Sequence, residues 1–458
     1  MGPLRAADPE LWRSFRLPGV SSGRAWLPAD LFLRLLAALL VGYAVGGRAF
    51  AYLGWGSLYV GEAVLAIGLV TALPTLTRVR IPRSAPLAWL AVFGLWGLGR
   101  TLPGIERHGL DAARDAVVWG YSAFAFLMAG VLLARPDRLL WLLHLYRRFA
   151  LSYPLVMLPL WVSLVVYGDL IPPVIREIEL SPKGGDTLVL LAGISSFCLL
   201  GFARPRVGVL LCLCSLVLLC AISNRGGTLS LLAALSVASL ATSARARLAP
   251  AVGVLAFAAT IVFGLGDLLQ RGAREVSLDQ LSSNISSVFS PQERQELDGS
   301  RRWRLDWWGR IVDYTIYGPY FWEGRGFGPN LATTDGFDLD KERTLRSPHN
   351  VHMTFLARGG VPGLLLWLAL QLSWLISMLA AYRRSSRSGQ DVWARLFLFL
   401  IAYWLSFQVN GTFDVYLEGP MGGIWFWTVL GVGLASAQLY RTTPELLYEG
   451  ARLPAGGV

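Results

Sequence analysis

The sequence predicts an all-α polytopic membrane protein with one large outer loop, and three observations carry that reading. Of 458 residues, 54% are hydrophobic and only 16% are charged, with a mean hydropathy of +0.50, a balance that leaves too little polar surface for a water-soluble globule of this size. Apolar runs of about 17 to 25 residues recur along the chain, the length an α-helix needs to cross a bilayer. A single long polar segment, residues 269–349, divides them.

Taken in order, residues 1–29 are a polar N-terminal segment expected on the cytoplasmic side. Nine apolar spans follow within 30–268: residues 30–46, 57–73, 85–100, 116–134, 149–167, 187–203, 207–223, 228–243 and 249–268. After the loop come spans at 350–381, 396–409 and 421–439, then a tail, 440–458, which makes about twelve transmembrane helices in all. Arg34, Glu62 and Arg358 lie inside or at the edges of three of these spans.

Orientation follows from Lys and Arg, which accumulate in short cytoplasmic connections. With the N-terminus inside, about 21 of the 41 basic residues fall in inner segments, among them Arg78, Arg80, Arg83, Arg135, Arg138, Arg147, Arg148 and the group from Arg383 to Arg395. The short outer connections hold about seven. Both termini are therefore expected inside and the 269–349 loop on the outer side of the membrane. Long loops are exempt from the rule, so the eleven basic residues of this one do not count against the assignment.

The net charge of +11 then reflects topology and attraction to anionic membrane lipids. No nucleic-acid partner is implied. Cys198, Cys212, Cys214 and Cys220 all fall in apolar spans, so neither disulfides nor thiolate metal sites are expected. The first apolar run begins near residue 31 and is followed by further spans, unlike a cleaved signal.

The loop closes with Arg346-Ser347-Pro348-His349-Asn350, which places a histidine at a membrane mouth. A neutral imidazole can take a proton from a hydroxyl near physiological pH, and arginines nearby supply the charge that holds phosphate. The first half of the loop, residues 278–298, is polar without sustained periodicity. The second half contains Arg301-Arg302-Trp303-Arg304-Leu305-Asp306-Trp307-Trp308, which reads as a helix with Arg301 and Arg304 on one face and tryptophans suited to the headgroup level. The string Gly324-Arg325-Gly326-Phe327-Gly328-Pro329-Asn330 lacks the strand-turn-helix context of a dinucleotide site and reads as a turn.

Arg225, in Ser223-Asn224-Arg225-Gly226-Gly227, occupies a connection too short to leave the lipid far behind. An arginine at depth costs roughly 2.5 to 3.5 kcal/mol on insertion scales and needs a partner or a role. Its topology puts it on the same side as Arg301, Arg304 and His349. His352 shares a helical face with His349 and reads as structural or acceptor-facing. Glu62 is an intramembrane acid expected to pair with an arginine such as Arg48. Asp414 and Glu418 lie on the outer side before the last span and could bind acceptor hydroxyls or balance the arginines. His108, with Arg107 and Asp111, reads as an amphipathic surface segment, and His144 lies on the inner side.

These residues together resemble the O-antigen ligase and O-antigen polymerase superfamily. The resemblance is densest from Gly299 to Trp367, through Gly299-Ser300-Arg301, the 324–330 string, Pro348-His349-Asn350 and Gly359-Gly360-Val361-Pro362-Gly363. Ser223-Asn224-Arg225-Gly226 is similar to that family's Ser-Arg-Gly element, with Asn224 inserted. The resemblance implies a GT-C type glycosyltransferase that takes a glycan from undecaprenyl pyrophosphate and passes it to a hydroxyl, on lipid A-core for a ligase or on another carrier-linked glycan for a polymerase. It implies no cofactor and no metal. Within it, His349 corresponds to the residue that activates the acceptor, and Arg225 and Arg301 to the pyrophosphate-binding arginines. Arg304 joins them from helical spacing. A transporter or flippase also carries intramembrane charge and a dozen spans, but gathers its ionisable residues near the bilayer midplane. A scaffold for polysaccharide assembly would leave His349 dispensable.

Overall fold

The computed structural model describes residues 28–55, 58–76, 84–167, 183–241, 251–260, 295–338 and 345–447. The N-terminal segment, the first half of the outer loop and the end of the tail lie outside the described residues. The helices are α1 Pro28–Ala51, α2 Val60–Leu76, α3 Ala85–His108, α4 Leu110–Gly120, α5 Ser122–Ala134, α6 Asp137–Tyr167, α7 Gly184–Leu199, α8 Val207–Ser223, α9 Arg225–Ala238 and α10 Ala251–Thr260. They continue with α11 Gln295–Thr315, α12 Leu331–Asp335, α13 Val351–Arg387, α14 Asp391–Gly411 and α15 Pro420–Thr442. A small antiparallel hairpin, β1 Gly54–Trp55 with β2 Leu58–Tyr59, joins α1 to α2.

Each of the twelve expected apolar stretches carries a helix, so the chain is an all-α, multi-pass membrane protein. Five helices, α1, α3, α13, α14 and α15, are long and apolar enough to cross a bilayer, and α4 with α5 makes a sixth if that bent pair is one span. The shorter apolar helices, α7, α8 and α9 among them, fall below a full crossing length of about 20 residues. In the bundle α9 packs against α14 and α7, α15 against α5, and α13 against α14 and α3. α14 and α15 are buried along almost their whole length.

The expected single span at 350–381 is corrected by the structure. α13 breaks at Gly360, with φ 65° and ψ −168°, and Pro362 opens the second arm, where a missing N–H costs nothing. The break is a sharp reversal: the indole N–H of Trp367 donates to Nδ1 of His352 at 3.1 Å, although fifteen residues of straight helix would separate them by roughly 22 Å. Phe355 on the short arm stacks on Trp367 at 4.7 Å, and Phe93 of α3 meets both. Only glycine fits at 360, since a Cβ there would meet the Phe321 carbonyl oxygen at 2.3 Å. Residues 351–359 therefore belong with the outer loop, and the spanning segment begins after Gly360.

The loop builds its own core. Trp307, Ile311, Tyr314, Leu331, Ala332, Leu356 and Ala357 are buried together. This corrects the expectation that the tryptophans of α11 lie at the headgroup level: Trp307 is fully buried, stacked on Phe337 at 5.4 Å, and its N–H donates to Asp335. A folded segment of this size can bury aromatics against itself, and that removes more apolar surface from water than a headgroup contact would.

Candidate active site

His349 is presented by a tight turn between the loop and α13. Asn350 is the N-cap of α13, and its side-chain oxygen accepts from the N–H groups of His352 and Met353. One residue earlier the backbone leaves the usual region: His349 has φ 55°, and it is the one non-glycine with positive φ among the described residues. Histidine tolerates this conformation better than most side chains, but holding it there costs of order 1–3 kcal/mol, which the surroundings must offset. Trp308 of α11 donates its N–H to the Pro348 carbonyl at 2.8 Å, and the Trp303 ring meets the imidazole edge-on at 6.2 Å.

The electrostatics around His349 fix its protonation. Burial pushes its pKa down to about 4, and Arg304 and Lys183 push the same way while Asp414 opposes them. The imidazole is therefore neutral at physiological pH, with a lone pair able to accept a proton. Arg304 donates from Nη1 to the Phe413 carbonyl at 2.9 Å, which ties α11 to the turn after α14. Its Nε has no protein hydrogen-bond partner. Arg304 is held partly buried beside Asp414, and a guanidinium keeps its charge there.

Arg225 opens α9, where Asn224 caps the helix by accepting from the Gly227 N–H at 2.7 Å. Gly226, the next residue, abuts Phe413: a Cβ on it would lie 3.1 Å from the Phe413 side chain. The Arg225 and Arg304 elements thus meet across one phenylalanine. The inserted Asn224 of the Ser-Asn-Arg-Gly string supplies the helix cap. Arg301 lies one helical turn before Arg304, exposed on the same helix.

Three other expected residues have partners within the protein. His352 accepts from Trp367, inside the reversal of α13. Glu62 accepts from the Tyr121 hydroxyl and from the Tyr59 N–H, so tyrosines stand where an arginine partner was expected. Glu418, in the short 3-10 helix Tyr416–Glu418, accepts from Ser347 at 2.8 Å and Thr354 at 3.0 Å rather than opening to solvent as a loop charge.

A network that sequence reasoning missed supports the site from the side. Asp115 of α4 accepts two hydrogen bonds from Arg346, at 3.1 and 3.0 Å, and one from the Gly328 N–H at 2.9 Å, and forms an ion pair with Arg358 at 2.8 Å. Arg358 is 3% exposed, so this carboxylate is the counter-charge that makes its burial tolerable. The 324–330 string is the turn around it: Gly324, Gly326 and Gly328 all have positive φ, and the N–H groups of Arg325 and Gly326 cap the carbonyls of Ala357 and Arg358 where the short arm of α13 ends. The segment carrying Asp111 and Asp115 is therefore not a plain surface helix. The one signal in the sequence was Arg358, a cation inside an apolar run.

Residues 210–368, about a third of the chain, match the family model described as O-antigen ligase. The chain carries a domain of the O-antigen ligase and polymerase superfamily. No curated protein matches the chain at a significant level. The O-antigen ligase domain runs from α8 to the second arm of α13, and so contains Arg225, Arg301, Arg304, His349 and His352. Asp115, Lys183, Asp414 and Glu418 lie outside the domain's limits and are brought to it by the fold.

Proposed function

We propose that this protein is an O-antigen ligase-like glycosyltransferase, moving a glycan from undecaprenyl pyrophosphate to a hydroxyl acceptor such as lipid A-core at the periplasmic face of the inner membrane. In this reading the chain crosses the membrane about twelve times with a GT-C type fold, and the reaction uses no metal. The observation that carries it is a neutral, strained histidine beside Arg304, inside a domain of the ligase and polymerase superfamily.

His349 takes the proton of the acceptor hydroxyl as its oxygen attacks the anomeric carbon. The bond from that carbon to the pyrophosphate oxygen breaks, and the electron pair leaves with the pyrophosphate. Arg304, Arg225 and Arg301 hold the phosphates and stabilise the departing charge, each charge-assisted bond contributing roughly 1.5 to 3 kcal/mol. The Phe413 carbonyl holds the guanidinium of Arg304, and Asp414 offsets part of its charge at the imidazole. A nearby cation favours the neutral base, so Arg304, besides holding the donor, adds to the burial that keeps His349 neutral.

The test is transfer by purified protein from a polyprenyl-pyrophosphate-linked glycan. Product on lipid A-core identifies a ligase, longer carrier-linked product identifies a polymerase, and movement of the carrier between leaflets without transfer identifies a flippase. Absence of any new glycosidic bond with all acceptors would overturn the reading.

A further inference from the structure

We propose that Glu418 is a positioning residue for the transfer reaction: through one carboxylate oxygen it ties together the two ends of the turn that presents His349. The inference rests on the reading of His349 as the base. Oε1 of Glu418 accepts from the Ser347 hydroxyl at 2.8 Å and from the Thr354 hydroxyl at 3.0 Å, and the two hydroxyls lie 3.3 Å apart. Between Ser347 and Thr354 run Pro348, His349 at φ 55° and the capping Asn350. One acceptor thus fastens the residue two before the imidazole to the first turn of α13, which is what a strained turn needs to hold a single geometry.

The clamp itself is anchored in the bundle. Tyr416, two residues before Glu418, is buried and stacked on Phe407 of α14 at 6.1 Å, and Leu417 is buried against Gly411. The charged groups facing Glu418 are Arg358 from the short arm of α13 and Asp115 from α4. Burial pushes its carboxyl up to about 7, while the Ser347 and Thr354 bonds and Arg358 pull down and Asp115 pushes up. The carboxylate accepts two charge-assisted bonds above that pH, and the neutral acid accepts weaker ones below it. Tightness of the His349 turn therefore varies across the physiological range, fully set on the alkaline side and relaxed as pH falls through about 7.

The experiment uses full-length protein in lipid nanodiscs with a polyprenyl-pyrophosphate-linked glycan and a hydroxyl acceptor. Glu418→Gln keeps a neutral acceptor oxygen in place without a titrating proton: kcat at pH 8 falls to the level wild type shows below pH 7, and the kcat limb near pH 7 disappears. Glu418→Ala lowers kcat by about tenfold or more at unchanged donor KM, because misplacement by the order of an ångström costs up to about a hundredfold. Ser347→Ala with Thr354→Val reproduces that loss and adds little to it in combination, and it serves in place of Glu418→Ala if that variant does not fold. Wild-type kcat in the alanine variant, or a limb near pH 7 that survives in the glutamine variant, would overturn the proposal. If the wild-type protein transfers nothing, the catalytic reading fails, and the His349 imidazole resonance still tests the clamp: it shifts in Glu418→Ala and stays in Glu418→Gln, and equal resonances in both would sink it.

Discussion

Acidification separates the environment assigned to His349 from that of an ordinary histidine. An imidazole with its pKa near 6.5 would be neutral in only about 3% of molecules at pH 5, whereas one held at about 4 is neutral in about 90%. If deprotonation of the acceptor limits turnover, the rate at pH 5 differs about thirtyfold between the two cases. The assay is single-turnover transfer from pH 8 to pH 4 in the Glu418→Gln protein, where the carboxylate limb no longer overlaps. The expected profile loses about a tenth of its rate by pH 5 and half near pH 4. In Arg304→Gln, removal of the neighbouring cation should move the half-point upward, besides weakening donor binding. A half-point near 6.5 in the parent protein, or no upward movement in the arginine variant, would refute the account of the imidazole's surroundings.

Three further outcomes are expected. His349→Ala should lower kcat by about 10² to 10⁴ while the protein remains folded and still binds the carrier lipid, measured by transfer kinetics and lipid co-purification. Arg301→Lys should lower kcat/KM by about tenfold or more, because an ammonium cannot reproduce a two-pronged grip on phosphate oxygens; wild-type turnover would leave Arg301 as a surface residue of α11. Asp115→Asn removes the counter-charge of buried Arg358, and should destabilise the loop by about 3–5 kcal/mol, read as a lower Tm and faster proteolysis between α11 and α13.

The positions of the helices were legible because apolar runs of bilayer length leave little choice, and all twelve stretches carry a helix. Arg225 was legible as a candidate because an arginine in so short a connection is costly unless used, His349 because it closes the polar loop where the chain turns apolar, and Arg304 by its helical spacing from Arg301. The reversal at Gly360 was not: Gly359-Gly360-Val361-Pro362 announces a break, but its direction depends on Trp367 and Phe355 meeting across it. The burial of Trp307 was misjudged because tryptophans on a basic helix suit a membrane interface and a protein core equally well by pattern. Asp115 was missed because an acid in an amphipathic segment looks solvated until the partners, Arg346 and Arg358, arrive from more than two hundred residues away. Glu418 and Asp414 share one short loop, and only three-dimensional contacts separate the clamp from the arginine's neighbour.

The central claim is that guanidiniums from α9 and α11 and the imidazole of His349 enclose one pyrophosphate. A cryo-EM structure of the protein in nanodiscs with a polyprenyl pyrophosphate tests it most directly. The expected density places the phosphates against Arg225, Arg301 and Arg304, with His349 facing the anomeric side. Phosphate density at the opposite membrane face, or held by other cations away from His349, would contradict it.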